Sequence, residues 1–248
     1  MLRALRPAPA EGRATCLLLD MEQSPELFEA DFVDHAKLCK PLTLTSLERL
    51  YALYQAVRFV VSSGIPGDFV ECGVWKGGSV MMMARTLMGL GISDRTIHLF
   101  DTFEGMTPPT ELDVDLNGIR AQDLLDQSDR INSVHWAYSP IEEVRANLAR
   151  TGYPMERFVF APGDVSKTLP ARAPARIALL RLDTDWYEST RHELEHLFPR
   201  LQARGVLIID DYGHYIGARK AVDEYFEIQS DKYLMLRIDY TGRILMKA

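Results

Sequence analysis

The chain has 248 residues and a formal net charge of -7, with 47% apolar and 25% charged residues. That length suits one large α/β domain with an appendage, and the acidic balance argues against nucleic acid or an anionic membrane as the main partner. Cys16, Cys39 and Cys72 are an odd, scattered set with neither a CxxC pair nor a disulfide framework, which suits a reducing cytoplasm.

The first 22 or so residues are rich in Ala, Arg and Pro and read as a loosely held tail. The apolar run Cys16-Leu-Leu-Leu19 stops at Asp20, too soon for a signal peptide, and no later run is long enough to span a bilayer. Ser24-Pro25 opens a helix signal, with Phe28, Phe32 and His35 at helical spacing. Thr45-Ser-Leu-Glu48 fits a capping box. The helix behind it carries Leu47, Leu50, Tyr51, Tyr54, Val57, Arg58 and Val61 on one face, and Gly64-Ile-Pro-Gly67 ends it. Residues 1–63 thus form a helical extension, and residues 64–248 the main domain.

That domain begins at Asp68-Phe-Val-Glu-Cys-Gly-Val-Trp-Lys-Gly-Gly-Ser79, a short strand ending on Glu71 and a turn through Gly73, Gly77 and Gly78. The residues from Val80 to Leu90 then read as a helix. Strand, glycine turn and helix make the first unit of a nucleotide-binding fold, where the helix start offers free N–H groups to a ligand. Trp75 stands where a dinucleotide fingerprint needs its second glycine, so the turn is closer to that of S-adenosylmethionine (SAM) enzymes. A second strand, Thr96 to Phe100, closes on Asp101, placed to accept hydrogen bonds from a ribose diol. The polar stretch of about residues 103–130 reads as a lid over the site. Ile141 to Arg150 is a predicted helix, and Arg157 to Phe160 a strand running to Gly163-Asp164. Two further strands end in acids, Ile177–Leu182 in Asp183-Thr-Asp185 and Val206–Ile209 in Asp210-Asp211, with a helix between them. A hairpin of Tyr233 to Tyr240 and Arg243 to Met246 completes a mostly parallel, seven-stranded sheet.

Ligands of open parallel sheets sit outside the carboxyl ends of the strands, which here carry Glu71, Asp101, Asp183, Asp210 and Asp211. In extended chain Asp183 and Asp185 point to one side, whereas Asp210 and Asp211 serve one site only if the chain turns there. Crowded carboxylates call for a cation, and an all-oxygen set suits Mg2+. One decoy competes. His192-Glu-Leu-Glu-His196 matches a zinc-peptidase motif, but its histidines lie opposite Leu194, Leu197, Phe198 and Leu201 and point toward solvent, with no third ligand in view.

Four motifs in combination resemble the macrocin O-methyltransferase family. They are Ile65-Pro-Gly-Asp-Phe-Val-Glu-Cys-Gly-Val-Trp-Lys-Gly-Gly-Ser79, Phe100-Asp-Thr-Phe-Glu-Gly-Met106, Leu182-Asp-Thr-Asp-Trp-Tyr-Glu-Ser-Thr190 and Ile209-Asp-Asp-Tyr-Gly213. The likeness runs from about Leu42 to the end and implies a class I, Rossmann-like methyltransferase fold, dependent on SAM and Mg2+. By resemblance Glu71, Cys72, Gly73, Val74, Trp75, Gly78 and Ser79 line the SAM site with Asp101, Thr102, Phe103, Glu104 and Gly105. Ser139, Asp164 and Val165 would hold its adenine end. Asp183, Asp210 and Asp211 match the metal ligands and Asp185 the general base. The implied acceptor is a hydroxylated, glycosylated natural product of antibiotic biosynthesis, and the implied assembly a homo-oligomer, dimer or higher. The rival readings are a catechol-type O-methyltransferase, an NAD-dependent oxidoreductase, which Trp75 opposes, and a non-catalytic binding module, which has no need of the acid cluster.

Overall fold

The structure, a computed structural model, describes residues 28–248. The Ala-, Arg- and Pro-rich start and the helix signal at Ser24-Pro25 lie outside the described residues. The first described helix, α1, spans Ala30–Cys39, and α2 spans Leu47–Ser62. The cap of α2 differs from the expected box. Ser46, not Thr45, accepts the N–H of Arg49, at 3.2 Å. The Thr45 hydroxyl is engaged elsewhere, accepting from Arg181 at 2.8 Å.

The sheet comprises β1 (Asp68–Cys72), β2 (Ile97–Asp101), β3 (Phe158–Pro162), β4 (Ile177–Leu182), β5 (Leu201–Ile209), β6 (Leu236–Arg237) and β7 (Arg243–Met246). Its order is β3-β2-β1-β4-β5-β7-β6, parallel except for β7, which runs antiparallel to β5 and β6. β4, with every residue buried, is a central strand covered on both faces. Alternation sends Phe69, Leu99, Leu179 and Ile208 to one face, against α1, α2 and α3 (Gly78–Gly89). Val70, Phe100, Leu180 and Leu207 go to the other, against α7 (Tyr187–Leu197) and α8 (Ile216–Glu227). Between β2 and α7 the chain forms α4 (Ala121–Asp126), α5 (Ile141–Ala149) and α6 (Val165–Thr168). The helical extension shares one apolar core with the sheet face it covers, continuous from Phe32 to Ile208.

The C-terminal hairpin is shorter than the predicted one. Pairing on its outer strand is limited to Leu236 and Arg237, because Tyr233 turns away to pack edge-on against Phe198 and Phe226. Helix α8 was not among the expected elements, although Gly217, Ala218, Ala221, Val222 and Tyr225 bury one helical face.

Residues 103–130 are docked rather than extended. Trp186 donates its indole N–H to the Thr107 carbonyl at 3.0 Å, and the buried Asp113 accepts the Tyr187 N–H at 2.7 Å. Ala121, Leu125 and Trp186 form a small core of their own with Met106, Trp136 and Tyr215. Among the described residues no helix is long and apolar enough to cross a membrane.

Candidate active site

The strand order reverses direction between β1 and β4, whose neighbours are β2 and β5. At such a switch point the loops leaving the two strands diverge and open a crevice at their carboxyl ends. A cavity of about 300 Å³ lies there. Gly73, Val74, Trp75, Ser79, Asp101, Thr102, Gly105, Asp164 and Val165 line it, as do Asp183, Asp185, Asp210 and Asp211.

The glycine turn works by close approach. A Cβ on Gly73 would fall 1.9 Å from the Asp183 carbonyl oxygen, and its φ of +82° disfavours any side chain. Gly73→Ala is therefore expected to push β1 and β4 apart and abolish S-adenosylhomocysteine binding, read by calorimetry. Trp75 holds the left-handed conformation, φ 46°, that glycine supplies in the dinucleotide turn. Gly78 also has a packing task. Its bare Cα faces the carbonyls of Leu42 and Cys39, so it seats α3 against the extension.

Asp101 sits at the end of β2 with its carboxylate turned back under the turn. Its Oδ2 accepts the N–H groups of Val74 at 2.6 Å and Trp75 at 3.1 Å, and its Oδ1 that of Phe103 at 2.7 Å. Burial raises its pKa while these donors oppose the rise. With its main-chain partners occupying most of its acceptor positions, Asp101 keeps room for one ligand hydroxyl rather than two.

Several expected cofactor residues stand behind the cavity wall. Cys72 is buried in the core on the α7 face, and Phe103 packs on Phe160 with ring centroids 5.9 Å apart. Glu104 is exposed. Ser139 is buried and donates to Glu143 at 3.1 Å. Glu71 is buried and paired with Arg181, and burial pushes its pKa up to about 8 despite that partner.

The acid cluster is arranged by register. Glu71 lies beside Arg181 across β1 and β4, and alternation puts Glu71, Arg181 and Asp210 on the one face that the extension covers. Arg181 is buried and fans out to Glu71, Asp210, Thr45 and Asp183, the last at 2.8 Å. Asp210 also pairs with Arg49 of α2. The chain does turn after Ile209, so Asp210 and Asp211 both reach the cavity. Asp185 reaches it by a different route from the expected extended one. It takes φ 66°, and its own N–H donates to Asp211 at 3.2 Å. Burial, then the facing Asp211 carboxyl, push the Asp185 pKa well up, and Asp211 is raised mainly by burial.

Asp183, Asp210 and Asp211 each offer a carboxylate oxygen, all within 4.8 Å of one another, the one such group among the described residues. An acidic, all-oxygen donor set of this size fits a hard divalent cation. The His192–His196 pair does not join it. Both rings are half-buried rather than solvated, 4.3 Å apart between centroids, while Glu193 points inward and accepts from Thr184 at 3.0 Å. Sequence reading passed over Arg49, Arg181 and Glu193. Arg181 had a signal, since a charge inside the apolar run Ile177–Leu182 demands buried partners.

Sheet order, switch-point cavity and glycine turn together define a class I methyltransferase. The family model for macrocin-O-methyltransferase (TylF) matches residues 30–247. The chain is 39% identical over 74% of its length, and 67% of the relative's, to the 8-demethyl-8-(2,3-dimethoxy-alpha-L-rhamnosyl)-tetracenomycin-C 4'-O-methyltransferase of Streptomyces olivaceus. It is 36% identical over 81% of its length, and 73% of the relative's, to the demethyldecarbamoylnovobiocin O-methyltransferase of Streptomyces niveus. Among solved structures, the O-methyltransferase NovP superposes with a TM-score of 0.72 at 32% identity, covering 83% of this chain and 82% of that one. The chain belongs to the macrocin-O-methyltransferase family and is an O-methyltransferase.

Proposed function

We propose that this enzyme moves the methyl group of SAM to a sugar hydroxyl of a glycosylated natural product, in the cytoplasm and as a homo-oligomer. One observation carries the reading: Asp183, Asp185, Asp210 and Asp211 meet in the cavity that the glycine turn also lines. When bound, SAM supplies an electrophilic methyl group, and Mg2+ held by Asp183, Asp210 and Asp211 supplies a Lewis acid that acidifies an acceptor hydroxyl. Asp185 takes the hydroxyl proton, its basicity already raised by burial and by Asp211. Gly73 to Trp75, Asp101 and Thr102 orient the donor, with Asp164 and Val165 toward its adenine end. The described part of the extension walls the acceptor side through Thr43, Leu44 and Thr45. Residues 103–130 act as the lid, with Met106 and Thr107 in the cavity lining excluding water. The relative named for a rhamnosyl-tetracenomycin supports a glycosylated acceptor, and the one named for demethyldecarbamoylnovobiocin supports a natural-product acceptor.

The test is calorimetric titration of S-adenosylhomocysteine in Mg2+ and then in EDTA. Binding is expected in both, with a separate Mg2+ signal that Asp211→Asn abolishes. A deoxysugar glycoside set beside a catechol then separates the sugar reading from a phenolic one. Absence of S-adenosylhomocysteine binding in both buffers would overturn the donor assignment.

A further inference from the structure

The two arginines at the acid cluster are held differently. Arg181 is 1% exposed, comes from a central strand and has a partner on every side, so it is a permanent part of the floor. Arg49 comes from the extension, lines the cavity and bridges two acids. One is Asp210; the other is Asp239 in the turn before β7, reached at 2.9 Å. The N-cap Ser46 hydroxyl donates to the same Asp239 oxygen at 2.7 Å. Arg49 therefore has an anchor independent of the metal ligands.

The consequence lies at Asp210. Its Oδ1 faces Arg181 and its Oδ2 faces Arg49, so both carboxylate oxygens already meet a guanidinium. A divalent cation that takes Asp210 as a ligand must approach an oxygen facing a positive charge. The Arg181 side is sealed, whereas the Arg49 side opens on the cavity. We propose that Arg49 is an internal counter-ion that competes with the divalent cation for Asp210, so that the helical extension sets the metal affinity of the site. This rests on the assignment of Asp183, Asp210 and Asp211 as the cation's ligands. Arg49 is in this sense a positioning residue. When a cation takes Asp210, Arg49 falls back on Asp239, and the brace between α2, the β6–β7 turn and the cluster loosens.

The test is Mg2+ calorimetry on the full-length protein as wild type, Arg49→Gln and Arg49→Lys. Arg49→Gln removes one positive charge next to the ion and is expected to bind Mg2+ on the order of tenfold more tightly. Arg49→Lys keeps the charge and is expected to stay within about threefold of wild type. A residue that merely braces the fold gives the opposite sign, with Mg2+ binding weakened in Arg49→Gln, and that result overturns the proposal. Unchanged affinity in Arg49→Gln overturns it as well. A second measurement needs no variant. Saturating Mg2+ is expected to speed amide hydrogen exchange in the first turns of α2 in the wild-type protein, and unchanged or slower exchange overturns the proposal. Lack of Mg2+ binding in every variant and in wild type overturns the ligand assignment along with it. Binding in wild type without the gain in Arg49→Gln overturns this proposal alone.

Discussion

Asp185→Asn is expected to lower kcat by about 10²- to 10⁴-fold, the usual worth of a positioned general base. Mg2+ and S-adenosylhomocysteine should titrate into the variant much as into wild type. The separation follows from how the acids are held. Asp183 and Asp210 each pair with Arg181, and Asp210 also with Arg49. Among the described residues no cation hydrogen-bonds Asp185; the Asp211 and Asp183 carboxyls act on it more strongly than the Arg49 charge, which opposes them. Burial and the facing Asp211 carboxyl hold its pKa well up, which suits it to take a proton. Asparagine keeps the shape and tolerates the left-handed backbone at φ 66° better than most residues, but it has no basic oxygen. A loss confined to kcat, with KM for the acceptor little changed, would mark a group acting in the transition state. Near-normal kcat would remove Asp185 from the mechanism. Weakened Mg2+ binding with the same loss of rate would make it a ligand instead.

Arg181→Met is expected to destabilise the fold by about 3–5 kcal/mol, because it leaves the buried Glu71 without its partner and takes one of two guanidinium groups from Asp210. For a chain of this size that corresponds to a melting temperature lower by roughly 6–20 °C. Glu71 is 1% exposed and pairs with Arg181, so it cannot turn to water when the guanidinium goes, whereas Asp210 keeps its pair with Arg49. Methionine fills similar volume, so the loss reports uncompensated charge rather than a cavity. Arg181→Lys keeps the charge but reaches fewer of the partners that the planar fork spans, and should fall between wild type and Arg181→Met. Scanning calorimetry of the three proteins in EDTA reads the series without interference from added metal. A melting temperature for Arg181→Met within about 2 °C of wild type would show that the acids are neutral in the fold and need no counter-ion.

Most of the elements that local pattern dictates were legible in the chain, α8 being the exception although its apolar face is also written in nearby residues. The apolar runs of β1, β2 and β4, the glycine turn and the acids that close the strands follow from backbone propensity, alternation and turn chemistry, which act over a few residues. Those rules also place Asp183, Asp210 and Asp211 at the same end of the sheet, so the acid cluster could be expected without coordinates. Other features depend on partners far away in sequence. Thr45 and Ser46 are both good caps, and Ser46 takes the role in a structure where the Thr45 hydroxyl meets Arg181, 136 residues on. Glu71 looks like a ligand-facing strand end, but the register of β1 on β4 sets it against Arg181 and seals it in the floor. Gly78 looks like part of the cofactor turn, and only the folded extension brings the Cys39 and Leu42 carbonyls over it. Arg49 appears on its own helix as a polar residue among apolar ones, and only the folded chain brings it to Asp210 and Asp239. Local rules could thus supply the acids, because each strand end is written in consecutive residues. Their counter-ions came from the tertiary structure, because a buried charge is satisfied by whichever opposite charge the packing of distant segments delivers.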